Sequence, residues 1–148
     1  VSETDRSVGY WRKKGYADAL AEKGIPYDEK WVRTGTFDVD SGYKAMKEMF
    51  RSEGTKPTAL LAVSDRIAIG AISFLKKAGY SVPEDCAVIG MGNSEMSQYV
   101  TPPLTTIDFD TAEAGQIGAK TLIEAIETKN TSIQKIQVNY RLIKRDSI

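Results

Sequence analysis

Apolar and polar positions along this chain change period several times, and the changes mark its elements. Residues 58–63 form a short apolar run, the pattern of a strand buried on both faces. Ile67, Ala71, Phe74, Leu75 and Ala78 follow at helical spacing, and Gly79 supplies a stop. Residues 86–91 are a second apolar run. Strand, helix and strand in so few residues predict a right-handed parallel βαβ unit, with ligands bound past the carboxyl ends of its strands. Upstream, Val8, Trp11, Gly15, Tyr16, Ala19, Leu20 and Lys23 mark one helix face, ended by Gly24, Ile25 and Pro26. Residues 31–35 read as a short strand. Val39, Gly42, Tyr43, Met46, Met49 and Phe50 then give a second helical stripe over 39–51. No strand precedes the first helix, which suggests a chain beginning just after one and leaving a sheet edge unpaired.

Beyond the central unit, residues 93–101 are polar and end in Pro102-Pro103, which stiffen an extended crossing. Residues 104–107 read as a strand. Asp110, with Glu113 three residues on, forms an acidic capping box for a helix over 111–127. Its stripe comprises Ala114, Ile117, Gly118, Thr121, Leu122, Ala125 and Ile126. After a turn at 129–131, Ile136, Val138, Tyr140 and Leu142 alternate with polar residues, so the sequence closes on a half-exposed strand.

Composition narrows the chemistry. The 148 residues suit one domain with a real core. Lys plus Arg and Asp plus Glu each number 20, so no net field draws in nucleic acid or a membrane. The lone cysteine, Cys86, lies in an apolar strand and reads as a buried, inert thiol. No apolar run of membrane-spanning length and no signal peptide are seen, so the expected compartment is the cytoplasm. Histidine is absent, which removes Ser-His-Asp and Cys-His mechanisms and imidazole metal sites. No metal and no cofactor are expected.

The candidate residues cluster where strands end. Gly90-Met91-Gly92 invites a dinucleotide fingerprint, but Glu95 stands where its third glycine belongs. Ser64 reads as a helix cap with ligand contact as an added role. Asp65 reads as a capping acid or a general base. Phe37, in a loop after a strand, is a better stacking residue than Trp11. Arg12 faces either a cleft or water.

The run PTALLAVSDRIAIGAISFLKKAGYSVPEDCAVIGMGN, with PPLTTIDF and the closing LIKRDS, resembles the lac repressor (LacI/GalR) family of bacterial transcription regulators. The resemblance covers residues 12–147 and implies the carboxyl-terminal part of their effector-binding core. That core is an α/β, periplasmic-binding-protein-like αβα sandwich lobe with a parallel sheet. It implies a DNA-binding repressor of carbohydrate metabolism rather than an enzyme, working as a homodimer. Operator DNA would be met only through an amino-terminal headpiece that this sequence does not include. The implied lobes are 1–103 and 131–148 for the carboxyl-terminal one, with 104–130 crossing to the other.

The effector residues implied by the resemblance are Arg12, Phe37, Ser64, Asp65, Gly92, Asn93 and Phe109. The implied dimer face draws on Tyr43, Met46, Phe50, Ile67, Ala71 and Phe74, positions for which a core role competes. Relatives typically read G-[FY]-D-[DN] where this chain has Gly90-Met91-Gly92-Asn93, so Gly92 replaces an acid that accepts sugar hydroxyls. Losing that charge suits an anionic effector beside Arg12; alternatively glycine makes room for a bulkier neutral sugar. The expected effector is a sugar or sugar phosphate, with a disaccharide such as sucrose or trehalose preferred. A periplasmic-type sugar-binding protein of a transport system is the alternative, and a small α/β enzyme using Asp65 ranks last.

Overall fold

In the computed structural model, which describes residues 6–51, 54–129 and 132–148, the sequence builds one mixed four-stranded sheet of order β1-β2-β3-β4. The strands are β1 (Ala59–Leu61), β2 (Ala87–Met91), β3 (Thr105–Phe109) and β4 (Tyr140–Ile143). β1–β2 and β2–β3 are parallel, with Leu60 opposite Val88 and Ile89 opposite Thr105. β4 runs antiparallel to β3, with Phe109 opposite Tyr140, so the expected parallel sheet carries one antiparallel edge.

Among the described residues five α-helices accompany it: α1 (Arg6–Glu22), α2 (Val39–Arg51), α3 (Asp65–Lys77), α4 (Met96–Tyr99) and α5 (Thr111–Thr128). The bounds of α2 are those its apolar stripe predicts, and Gly42, Met46, Met49 and Phe50 of that stripe are buried. Gly42 lies against the Ile67 backbone and Gly70 against the Val39 carbonyl, so closely that a Cβ at either would overlap main chain. The two helices therefore pack backbone to backbone. Around that contact Tyr43 and Phe74 meet edge-on at 5.5 Å, and Phe50 meets Phe74 at 5.8 Å and Tyr80 at 4.7 Å. Met46, Met49, Ala68, Ile72, Leu75, Cys86, Val88 and Leu104 complete the core.

At the residues expected on the dimer face the competing core role is visible. Met46, Phe50, Ala71 and Phe74 are buried within the chain's own core, and only Tyr43 and Ile67 are half-exposed. A periodic apolar stripe reports that a helix face is covered, not what covers it.

Other expectations also change. Residues 31–35 form no strand: Asp28 caps a 3₁₀ turn at Glu29–Trp31, and the chain then runs extended to an isolated bridge at Gly35. β-branched composition supplies propensity only, and here the segment pairs at a single bridge rather than along a ladder. Residues 93–101 contain the short α4, which Pro102-Pro103 close off. Leu104, Thr105 and Thr106, expected in the crossing segment, are fully buried in this sheet. Asp110 does cap α5, its carboxylate accepting from the Glu113 N–H at 2.9 Å. The α5 stripe, however, buries no residue, and Leu122 and Ile126 are exposed. β4 does not keep the expected alternation: Tyr140, Arg141 and Leu142 are all exposed, only Ile143 is half-buried, and 136–139 lie outside the strand. The Val8 side chain and residues 130–131 of the expected turn lie outside the described residues.

Candidate functional site

The carboxyl ends of β1 and β2 bring two loops together, residues 62–65 and 92–94. Ser64 enters α3 in extended conformation, and its Oγ accepts from the Ile67 N–H at 3.3 Å, closing the first turn as its residue type predicts. Asp65 turns inward. It is 2% exposed; its Oδ1 accepts from the Thr106 hydroxyl at 2.5 Å and its Oδ2 from the Ser94 N–H at 2.6 Å. Gly90 makes this possible, since a Cβ there would overlap Asp65 Oδ1 and crowd Leu104.

The loop after β2 is held by successive amides. Gly92 N–H donates to the Ile107 carbonyl at 2.7 Å, Asn93 N–H to Thr106 Oγ1 at 3.2 Å, and Ser94 N–H to Asp65. With all three occupied, the loop cannot present the nest of free N–H groups that cradles a phosphate. The incomplete glycine fingerprint thus has a structural use instead. Gly92 has φ +121°, a conformation that L side chains rarely adopt. Neither charge nor space is needed to explain it: the backbone at this position calls for glycine.

Arg145 braces the same loop from the chain's end. Its Nη1 donates to the Leu104 carbonyl at 2.7 Å and to Ser97 Oγ at 3.1 Å, while Nη2 donates to Asn93 Oδ1 at 2.8 Å. Two residues on, Ser147 is fully buried; its Oγ donates to the Val88 carbonyl at 2.6 Å and accepts from the Thr105 N–H at 2.8 Å. The closing Arg-Asp-Ser is therefore a clamp across β2 and β3.

Arg12, on α1, reaches the same rim. Its Nη1 donates to the Val63 carbonyl at 3.0 Å, just beyond β1. Below it a cavity of about 140 Å³ runs between α1, the 31–35 segment and β1, lined by Arg12, Trp31, Thr34, Met46, Leu60 and Met91 among others. Phe37 is 39% exposed in the loop before α2. That loop is ordered by Asp38, which accepts from the Thr36 hydroxyl and from the Ser41 N–H at 2.7 Å. The Thr36 hydroxyl first, then the Ser41 N–H, with the Arg66 charge adding less, hold the Asp38 carboxyl below its ordinary range. The close approach of Gly42 to the Ile67 backbone sets the start of α2, which this loop enters, beside the first turn of α3.

The residues expected at the site therefore divide. Ser64, Gly92 and Asn93 share one rim, Arg12 joins it through Val63, and Phe37 neighbours it through Asp38 and Arg66. Phe109 stands apart, three residues beyond Thr106 on β3, about 10 Å along a strand, and opposite Tyr140. Asp65 is buried, and each of its carboxylate oxygens accepts a hydrogen bond within the fold, contacts that brace the loop after β2. Thr106, Ser94, Ser97 and Arg145 were not singled out as candidates. Their signal lay in P-x-L-T-T and Arg-Asp-Ser, which mark kinship without revealing what each side chain touches. Among the described residues no group of three or more Asp, Glu or Cys side chains could hold a metal ion. No helix among them is long and apolar enough to cross a membrane.

A mostly parallel sheet with helix-capped loops converging past its strand ends defines an α/β ligand-binding lobe. The chain belongs to the periplasmic binding protein-like domain family, whose model matches residues 1–148. It is 38% identical over 143 residues to the HTH-type transcriptional repressor PurR of Photorhabdus laumondii subsp. laumondii, covering 97% of this chain and 42% of the repressor. It is thus similar to less than half the length of such relatives. A putative LacI transcriptional regulator from Bacillus cereus subsp. cytotoxis superposes with a TM-score of 0.93 at 29% identity, over 99% of this chain and 52% of that one. The transcriptional regulator CelR in complex with cellobiose gives 0.90 at 32% identity, over 99% and 45%. The resemblance to the LacI/GalR effector-binding core, and its α/β fold, are borne out.

Proposed function

We propose that this chain is the effector-binding part of a LacI-type DNA-binding transcription regulator, and that its effector is a small sugar bound at the carboxyl rim of β1 and β2. The observation that carries the reading is the Arg12 guanidinium held at the Val63 carbonyl, beside the loop braced by Asp65 and Arg145. A planar fork of donors suits sugar hydroxyls or a phosphate better than an ammonium would. The cellobiose-bound relative supports a disaccharide, and kinship with repressors favours regulation over transport. In this reading one lobe holds the described residues from α1 through β3 (Thr105–Phe109) and again from β4 (Tyr140–Ile143) onward, and the segment carrying α5 crosses to a second lobe. The exposed stripe of α5 supports that division. The protein acts as a homodimer, a state that sedimentation equilibrium measures.

Calorimetric titration with sucrose, trehalose, cellobiose and the 6-phosphates of sucrose and trehalose tests the effector. Binding of a phosphate alone, lost in Arg12→Ala, identifies an anionic effector. Binding of a neutral disaccharide identifies that class instead, and no binding by any of the five overturns the disaccharide reading.

A further inference from the structure

We infer that Arg145 is a positioning residue for this site: it orients the Asn93 amide so that the rim offers an effector a hydrogen-bond donor and reads an acceptor oxygen. The inference rests on the proposed effector site and names the chemistry of one of its corners.

A guanidinium has only donors, so the Asn93 atom 2.8 Å from Arg145 Nη2 must be the carbonyl oxygen. The amide nitrogen then points the other way. Among the described residues that NH₂ group has no hydrogen-bond partner, and Asn93 is half-exposed. Neither end of the pair is free to turn. The Arg145 head group is also held by Leu104 and Ser97, and its backbone exchanges two hydrogen bonds with Thr105 Oγ1, at 2.9 and 3.0 Å. Asn93 is held by its own N–H on Thr106, with its backbone at φ +46°. The N–H groups of 92–94 are all occupied, Gly92 has no side chain and the unpartnered Ser94 hydroxyl is buried, so the half-exposed Asn93 supplies the loop's outward donor, its NH₂. The group it selects is an oxygen acceptor: a sugar hydroxyl or ring oxygen, or a phosphoryl oxygen.

Asn93→Asp isolates the donor. The variant keeps an oxygen towards Arg145 and puts a second, charged acceptor where the NH₂ stood. Titrated against the five sugars above, it should lose on the order of 10- to 100-fold in affinity for whichever binds the wild type. The loss should be larger for a phosphate than for a neutral sugar, which tells the two sources of oxygen apart. Its melting temperature should not fall. Wild-type affinity in Asn93→Asp would overturn the inference.

Arg145→Lys tests positioning without any ligand. In ¹⁵N spectra the Asn93 side-chain NH₂ signals should shift, and the backbone amides of Asn93 and Ser94 should exchange roughly 10-fold faster. Unchanged signals and exchange would also overturn it. If the wild type binds none of the sugars, the proposed effector class fails while this second measurement still judges the role of Arg145.

Discussion

The Thr106 hydroxyl donates to Asp65 Oδ1 at 2.5 Å across 41 residues of sequence, and the same hydroxyl accepts from the Asn93 N–H. One oxygen thereby ties the start of α3, the middle of β3 and the loop after β2. Removing the carboxylate strands two buried donors at once. Asp65→Ala should cost about 3 kcal/mol, and Asp65→Asn, which keeps one acceptor, about 1–2 kcal/mol. Urea unfolding monitored by circular dichroism measures both; equal, small losses would mean the carboxylate is not the tie it appears from its geometry.

Two glycines in that loop should fail for different reasons. Gly90→Ala places a methyl group on Asp65 Oδ1 and should destabilise by about 1–3 kcal/mol through overpacking. At Gly92 the nearest atom to an added Cβ is Asp65 Oδ2, 3.9 Å away, so space is ample. Gly92→Ala should nonetheless cost about 1–3 kcal/mol, because φ is +121°. Gly92→Asp, which installs the acid that the family resemblance implies there, should cost at least as much, since it adds a charge near Asp65. A Gly92→Asp protein as stable as wild type would return the explanation to charge or space.

What could be read from the sequence was what depends on neighbours along it. The bounds of α2, the Ser64 cap and the Asp110–Glu113 cap all follow from residues within a few positions of one another. Asp65 looked like a cap or a base because its partners, Ser94 and Thr106, lie 29 and 41 residues away. Arg145 was invisible as a site residue because Asn93 lies 52 residues before it. The 31–35 segment has a strand's composition, yet pairing is a property of the neighbour, which local pattern does not supply. The stripes of α2 and α5 look alike in sequence, while most of the first is buried and no residue of the second is fully buried.

Cys86 gives a pH test. Burial, with a smaller contribution from the Asp85 charge, pushes its thiol from 9.0 up to about 11. The folded state thus holds the proton more tightly than the unfolded state. The corresponding stability is fully present below pH 9 and is lost as pH rises towards 11. Melting temperature should fall across that window in wild type and fall less in Cys86→Ala, compared as changes from each protein's own value at pH 8. A thiol reagent at pH 8 should label the native protein only as fast as it opens. Parallel pH curves, or immediate labelling, would show a thiol open to water.

Ser147 is the second half of the terminal clamp. Its hydroxyl donates to the Val88 carbonyl and accepts from the Thr105 N–H, so it stitches β2 to β3 from a residue in neither strand. Ser147→Ala leaves a buried N–H and a buried carbonyl each short of a partner, at about 2–3 kcal/mol. In a chain of this size that lowers the melting temperature by roughly 4–12 °C. Ser147→Thr keeps the hydroxyl but adds a methyl group at a fully buried position, so overpacking sets its smaller loss, about 1–2 kcal/mol. The two variants part on hydrogen exchange: the Thr105 amide should be exposed early in Ser147→Ala and protected in Ser147→Thr. Equal protection in both would mean that the tail holds the sheet by packing, and that the hydroxyl adds nothing to it.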